Sequence, residues 1–186
     1  MLIVHSHIHK KTYAQEELLK IQPQLAEAVR DGKINVKDEF PVVSIVKGMT
    51  FILIELESEE ALELVGTTGS RLSVDGLDEG WSSTFVGTYF FVRCQGGSDG
   101  TRVLRTRMIE GVFEDPATGS AASDLAAYLS IVEGKAKESV RYEIVQGVEM
   151  GRRSEILVEV VMAETGISEV FLEGSTAQVM RGQLTM

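Results

Sequence analysis

The stretch that decides the fold is "FEDPATGSAASDLAAYL", residues 113–129, where a short acidic turn runs into small and apolar residues. Only Asp124 interrupts the run "SAASDLAAYLSIV", so the spacing predicts a helix from about Thr118 to Val132 that is apolar nearly all round. Such a helix must be surrounded by protein. Its alanines and serines allow strands to approach closely. We therefore expect it at the centre of the fold.

The turn before this helix supports two interpretations. Pro116 suits the first helical turn, where its missing N–H costs nothing, and Asp115 or Thr118 can accept backbone hydrogen bonds as the N-cap. The same turn can also bind a ligand, because the first N–H groups of a helix lack intrahelical partners and its dipole favours an anion. Gly119 would let a carboxylate or phosphate approach the backbone, and Ser120 adds a hydroxyl donor. Both interpretations stay open from the residues alone.

Strand patterns surround the helix on both sides. Before it, strands are predicted at residues 2–9, 41–56 (in two pieces joined at Gly48), 84–94 and 101–108; after it, at 140–146, 155–162, 168–174 and 177–186. Further helices are predicted at 12–32, broken by Pro23, and at 58–66, capped by Ser58. We predict an α+β fold in which a curved antiparallel or mixed, barrel-like sheet wraps around one central helix.

Composition narrows the choice of partners and compartment. The chain has 186 residues, 44% hydrophobic and 25% charged, as in an ordinary globular protein. Its formal charge of −10 disfavours nucleic acid and anionic membranes as partners. No apolar run has the length of a membrane span, the start lacks a signal-peptide pattern, and the single Cys94 suits a reducing compartment. We expect a cytoplasmic protein that binds neither nucleic acid nor membrane.

The segment "EDPATGSAASDLAAYL" resembles the signature of the phenazine-biosynthesis isomerase-like (PhzF) family, which shares its fold with diaminopimelate epimerase. Other segments resemble the family in the same order, and together they cover nearly all of the chain. These are "VHSHIHKKTYAQEELLKIQPQL", "PVVSIVKGMTFILIEL", "LDEGWSSTFVGTYFFVR", "RTRM", "QGVEMGRRSEILVEV" and "VFLEGSTAQVMRGQL".

The resemblance implies that the chain corresponds to the C-terminal half of such a protein. The family has two similar halves, each a curved sheet around a central helix, with the active site in the cleft between them. Residues 1–34 would then be the last strand of a first half plus connecting helices, and residues 35–186 a diaminopimelate epimerase-like domain. The first half's motif, a Glu near a Gly-His-Pro/Ala-Thr helix start, has no counterpart in residues 1–40. Since that Glu is the family's general acid/base, we expect the chain alone to be incomplete and inactive.

The resemblance also implies roles for residues of the opening stretch. Asp115 matches the family's active-site Asp, while Gly119 and Ser120, with Thr118, match its substrate-binding helix start. The implied activity is proton-transfer isomerisation of a small carboxylic acid by side chains alone, without a cofactor or metal. The sequence departs from the family at Asp124, which needs a polar partner or a solvent gap on its apolar helix, and at Arg153, where "GRPS" would be usual.

Other polar residues have structural explanations. His5, His7 and His9 alternate and would share one face of a strand, where imidazoles can bind zinc or nickel. The family's segment carries histidine without a metal role, so no metal site is predicted. Cys94 is expected to be a buried structural thiol.

The arginines of the strand at 101–108 form the densest basic cluster. Arg102, Arg105 and Arg107 alternate imperfectly there, and we expect a solvated strand face rather than an anion site.

Two alternatives to an isomerase half remain. The chain can be a non-catalytic module that binds a small ligand or self-assembles, since a missing half would expose apolar cleft surface. The expected partner is then a second copy, forming a homodimer, or a complementary N-terminal half. The chain can also be a fragment or an incomplete gene model of a longer protein.

Overall fold

The computed structural model describes residues 6–69, 71–97, 99–175 and 181–183. In these ranges nine strands form one sheet, accompanied by four helices. The strands are β1 (His7–Ala14), β2 (Glu39–Val46), β3 (Gly48–Glu55), β4 (Ser83–Arg93), β5 (Arg102–Glu110), β6 (Phe113–Asp115), β7 (Ser139–Gln146), β8 (Ser154–Met162) and β9 (Ile167–Gly174). The helices are α1 (Gln15–Ile21), α2 (Pro23–Arg30), α3 (Glu59–Glu63) and α4 (Gly119–Glu133).

The sheet is mixed and has the order β1-β2-β3-β4-β5-β7-β8-β9, with β6 paired to β5. Its neighbours are antiparallel except for the pairs β3–β4 and β5–β7. A helix connects the two strands of each parallel pair, as parallel strands require: α3 between β3 and β4, and α4 between β5 and β7. The sheet curls into a half-barrel around α4, which confirms the predicted α+β architecture.

Helix α4 is buried along most of its length, as its composition predicts. One core lies between it and the concave face of the sheet. There the small side chains of Ala121, Ala122 and Ala126 pack among larger groups such as Tyr89 and Tyr142. The helix start is thereby held in a fixed position against the strands.

A second core lies on the other face of the sheet, beneath α1, α2 and α3. It contains Leu18, Leu25 and Leu62 from the helices and Ile52 and Phe90 from the strands. The central strands are therefore buried on both faces, which explains their nearly continuous apolar runs such as "FILI". The sequence prediction described the core around α4 and made no mention of this second one.

Most predicted element boundaries are confirmed. Pro23 separates α1 from α2, and Gly48, at φ +92°, joins β2 to β3 in a hairpin. The first helix begins at Gln15 rather than at residue 12, because β1 continues to Ala14 in register with β2.

Two of the predicted strands, 2–9 and 177–186, lie partly outside the described residues. Residues 2–5 and most of 177–186 lie outside the described ranges. The division of the chain at residues 34 and 35 stays a prediction. No helix in the described part of the chain is both long and apolar enough to cross a membrane.

Candidate functional site

The turn that leads into α4 is closed by the carboxylate of Asp115. The backbone N–H of Ala117 donates to its Oδ1 (3.3 Å), and the Thr118 hydroxyl donates to its Oδ2 (2.7 Å). Such local bonds are typical of aspartate in turns. Thr118 takes the N-cap position without a side-chain cap bond. Of the two caps considered from the sequence, Thr118 is therefore the N-cap, and Asp115 stabilises the turn before it.

The buried side chain of Gln146, at the end of β7, holds this turn from the other side. Its amide nitrogen donates to the Asp115 carbonyl oxygen (2.6 Å) and to Thr118 Oγ1 (3.0 Å). Its oxygen accepts from the Thr118 N–H (3.3 Å) and from the Tyr89 hydroxyl (3.1 Å). Burial raises the pKa of Tyr89, so its phenol stays a neutral donor. Gln146 was not predicted as a site residue, because only the parallel pairing of β7 with β5 brings it to the turn.

A buried ion pair fixes the strand that enters the turn. The guanidinium of Arg107 on β5 donates to both carboxylate oxygens of Glu114 on β6, each at 2.8 Å. Its remaining nitrogen donates to the carbonyls of Leu62 (3.1 Å) and Val65 (2.5 Å), at the end of α3. A cation suits this position, because carbonyls at a helix C-terminus carry partial negative charge.

The expectation of a solvated arginine face was therefore wrong. Arg107 is buried, and Arg102 and Arg105 are paired with glutamates of neighbouring segments. Local sequence could not show these glutamates approaching the strand. Cys94, expected to be buried, is half-buried, with its Sγ 3.7 Å from Glu59 Oε1.

The start of α4 presents backbone donors without acceptors. The Ala122 N–H bonds to the Thr118 carbonyl (3.0 Å), which is the first bond of the helix. Among the described residues, no group accepts a hydrogen bond from the N–H of Gly119, Ser120 or Ala121. Since α4 runs for 15 residues, its dipole adds to the positive potential at these donors.

Gly119 and Ser120 line a mainly apolar cavity of about 600 Å³. The β2–β3 hairpin and β9 supply most of the remaining wall. These wall residues are Ile45, Val46, Met49, Ser123, Val170, Phe171, Leu172 and Glu173. A mainly apolar cavity with a few polar groups is typical of sites for small organic molecules.

A second cleft, of about 680 Å³, shares Gly119 and contains Arg153, where the sequence departs from the family pattern. Asp115 is half-buried beside the helix start and lines neither of these two cavities. The structure thus brings Asp115, Thr118, Gly119 and Ser120 together in one turn. It does not direct the Asp115 carboxylate into either space.

Gly147 packs the end of β7 against the turn. Its φ of +77° lies in the left-handed region, and a Cβ there would meet the carbonyl oxygens of Arg152 (2.5 Å) and Pro116 (2.9 Å). Glycine is therefore needed for two separate reasons, backbone conformation and space.

Asp124 has the polar partner that the sequence required. The Ser6 hydroxyl donates to its Oδ1, whereas no described group reaches its buried Oδ2. Burial raises the pKa of Asp124 to about 7, and the bond from Ser6 offsets part of that rise. The histidines lie elsewhere: His7 and His9 share one face of β1, as predicted, and His5 lies outside the described residues.

Known proteins resemble this chain in sequence and in fold. The sequence model of the family described as "Phenazine biosynthesis-like protein" matches residues 7–182. A solved Bacillus anthracis phenazine biosynthesis protein of the PhzF family is similar in fold, with a TM-score of 0.51 and 16% identity over 72% of this chain and 48% of that one. A predicted epimerase from Pseudomonas aeruginosa has a TM-score of 0.49 and 20% identity over 96% of this chain and 57% of its own. No match to a curated protein is significant.

This chain spans about half the length of those two solved proteins. At 16% identity the Bacillus anthracis protein supports the fold alone. The sequence model of the family covers nearly all of the chain. The chain belongs to the phenazine biosynthesis-like protein family.

Proposed function

We propose that the start of α4 binds the carboxylate of a small organic acid, and that this chain is the substrate-binding half of a cofactor-independent isomerase. The proposal is carried by the N–H groups of Gly119, Ser120 and Ala121, from which no described residue accepts a hydrogen bond, one turn from the Asp115 carboxylate. Gly119 and Ser120 also line the mainly apolar cavity. Membership of the family supports an isomerase or epimerase type of activity.

Binding would combine two contributions. The backbone donors and the dipole of α4 stabilise a carboxylate by roughly 0.3–1 kcal/mol, or about 2 kcal/mol where partly buried. The Ser120 hydroxyl adds a further donor. The apolar wall would accommodate the rest of the substrate, with Ile45 and Met49 on one side and Leu172 on the other.

Asp115 would assist proton transfer or orient the substrate beside the helix start. Its hydrogen bonds with Ala117 and Thr118 fix the carboxylate in place. The resemblance to the family assigns the second acid/base, a Glu, to the other half of the enzyme. We therefore propose that turnover requires both halves, since a positioned acid or base typically contributes about 10²–10⁴-fold to the rate.

Titration of isotope-labelled protein with small aromatic and amino-acid carboxylates tests the binding step. We expect the amide resonances of Gly119 and Ser120 to shift with a carboxylate but not with the matched primary amide. Ser120→Ala should weaken binding, whereas Ser130→Ala, near the other end of α4, should leave it unchanged. Equal shifts with the neutral amide would contradict the anion site.

Incubation of the same acids in D₂O tests the catalytic step separately. Deuterium should not enter the substrate with this chain alone and should enter when a complementary half is supplied. Exchange by this chain alone at a normal enzymatic rate would contradict the division of the active site. It would leave the carboxylate site intact.

A second candidate function, self-assembly, is favoured by the rim of the same cavity. Val46 is 50% exposed, Phe171 41% and Leu172 51%, and exposed apolar surface of this kind commonly marks an interface. A homodimer would cover it. Light scattering should show concentration-dependent association that Leu172→Asp abolishes and Val112→Asp, in the exposed turn after β5, does not. A wild-type monomer at all concentrations would rule out this candidate.

A further inference from the structure

Two histidines and an aspartate converge on the face of the sheet opposite α4. Ile8 packs against the core around α4, so its neighbours His7 and His9 point to the other face of β1. The segment before β4 brings Asp78 to them, with His7 Nε2 2.9 Å from Asp78 Oδ2. One nitrogen or oxygen atom from each of the three residues lies within 4.8 Å of the other two.

The hydrogen bonds of His9 define which of its nitrogens is free of a proton. The backbone N–H of Asp78 can only donate, so the His9 Nδ1 that it approaches at 3.3 Å is the acceptor. His9 Nε2 therefore carries the proton and donates to Ser44 Oγ (2.8 Å), which is hydrogen-bonded to Thr50 (2.8 Å). This fixed orientation, with one ring nitrogen bonded to a buried group and the other facing the cluster, is that of a metal-ligating histidine.

Trp81 holds the other imidazole in position. Its ring stacks on His7 with centroids 4.5 Å apart and an angle of 15° between the planes, and it meets the edge of His9 at 5.5 Å. His7 and Asp78 retain 34% and 23% side-chain exposure, so an ion can enter from solvent. His9 is almost completely buried beneath them.

We propose that His7 Nε2, His9 Nδ1 and the Asp78 carboxylate form a binding site for a divalent transition metal of the zinc class. Two imidazole nitrogens and one carboxylate oxygen are a donor set that Zn²⁺, Co²⁺ and Ni²⁺ accept, with water completing the coordination. The ion would replace two hydrogen bonds, the one between His7 Nε2 and the Asp78 carboxylate and the long one from the Asp78 N–H to His9 Nδ1. It would draw the three groups to roughly 2.0–2.2 Å from itself.

The proposed site departs from the sequence prediction, which was of no metal. That prediction followed the resemblance to the family and did not consider Asp78, which lies 71 positions after His7 in sequence. The proposed site is separate from the start of α4, on the opposite face of the sheet, and does not depend on the proposed isomerase activity. It would tie the edge strand β1 to the segment before β4.

Trp81 is the sole tryptophan of the chain, so its fluorescence reports on the site. Protein freed of any affinity tag and stripped with a chelator is titrated with NiCl₂, and in parallel with CoCl₂ followed by visible absorption. We expect saturable quenching at one equivalent and Co²⁺ bands typical of four or five ligands. Asp78→Asn and His7→Gln should weaken binding more than about tenfold. Asp75→Asn, at an exposed position in the same segment, should bind as the wild type does.

Three results would overturn the proposal. One is the absence of stoichiometric binding to the wild-type chain at micromolar metal. Another is unsaturable quenching, which indicates collisions rather than a site. The third is unchanged affinity in Asp78→Asn and His7→Gln. If either variant fails to fold, as judged by circular dichroism, the Co²⁺ spectrum and stoichiometry of the wild type decide the question.

Discussion

The side-chain amide of Gln146 donates a hydrogen bond of 2.6 Å to the carbonyl oxygen of Asp115, across 31 positions of sequence. The bond joins the last residue of β7 to the last residue of β6. The geometry of the candidate site is therefore set by an interaction between strands as well as by the local turn.

Replacing this amide should disorder the turn. In Gln146→Leu the Asp115 carbonyl, the Thr118 N–H and the Tyr89 hydroxyl all lose a buried partner, and we expect a loss of about 2–4 kcal/mol in the free energy of unfolding. Urea denaturation measures it. Gln24→Leu, at an exposed position on α2, is the control and should change stability little. Equal stability of the two variants would show that the amide does not hold the turn.

Gly147 and Gly151 form a matched pair for the packing of β7 on the turn. Both have positive φ, +77° and +68°, but only at Gly147 would a Cβ meet neighbouring backbone. Gly151→Ala should cost about 1–2 kcal/mol from backbone conformation alone. Gly147→Ala should cost more than about 3 kcal/mol because steric overlap is added. Thermal unfolding compares them, and similar Tm values would contradict the close approach of Pro116.

Lysine should not be able to replace Arg107 in its ion pair with Glu114 without a loss of stability. Lysine keeps the charge but cannot bond both oxygens of Glu114 and the α3 carbonyls together. We expect Arg107→Lys to lose about 2–3 kcal/mol of stability. Arg71→Lys, at an exposed surface pair with Glu110, should stay within about 0.5 kcal/mol. Chemical denaturation of both variants makes the comparison, and equal losses would assign the effect to arginine in general rather than to burial.

Because Asp124 is buried, the free energy of unfolding should fall as the pH rises through the acid range. Its pKa is about 7 in the folded chain and about 3.9 when unfolded, so the unfolded state loses its proton first. The resulting loss in the free energy of unfolding is absent below pH ~4 and grows by about 1.4 kcal/mol per pH unit toward pH 7. Above pH 7 the loss is constant.

The stability difference between Asp124→Asn and the wild type isolates this effect, since other titrations largely cancel. It should shift in favour of the variant from pH 4 to pH 7, as measured by denaturation at several pH values. A stability difference between Asp124→Asn and the wild type that does not vary with pH would mean that the buried carboxyl does not titrate in this range.

The features that could be predicted from sequence are those set by nearby residues. The apolar spacing of α4, the Pro23 break and the Gly48 hairpin are local, and so is the convergence of Asp115, Thr118, Gly119 and Ser120 at one helix start. Gln146, Glu114 as the partner of Arg107, and the core beneath α1–α3 depend on which strands become neighbours. Hydrophobic patterning does not reveal that order, and arginines destined for buried pairs look the same in sequence as solvated ones.

The parallel pairing of β7 with β5 has a consequence for local unfolding. Because Gln146 reaches the turn only while β7 is in place, detachment of this strand and loss of the proposed binding site are one event. A ligand that binds only the closed form stabilises it by RT ln(1 + [L]/Kd). Backbone amides of β7 should therefore exchange with deuterated solvent more slowly when a ligand occupies the start of α4, although the strand need not touch it.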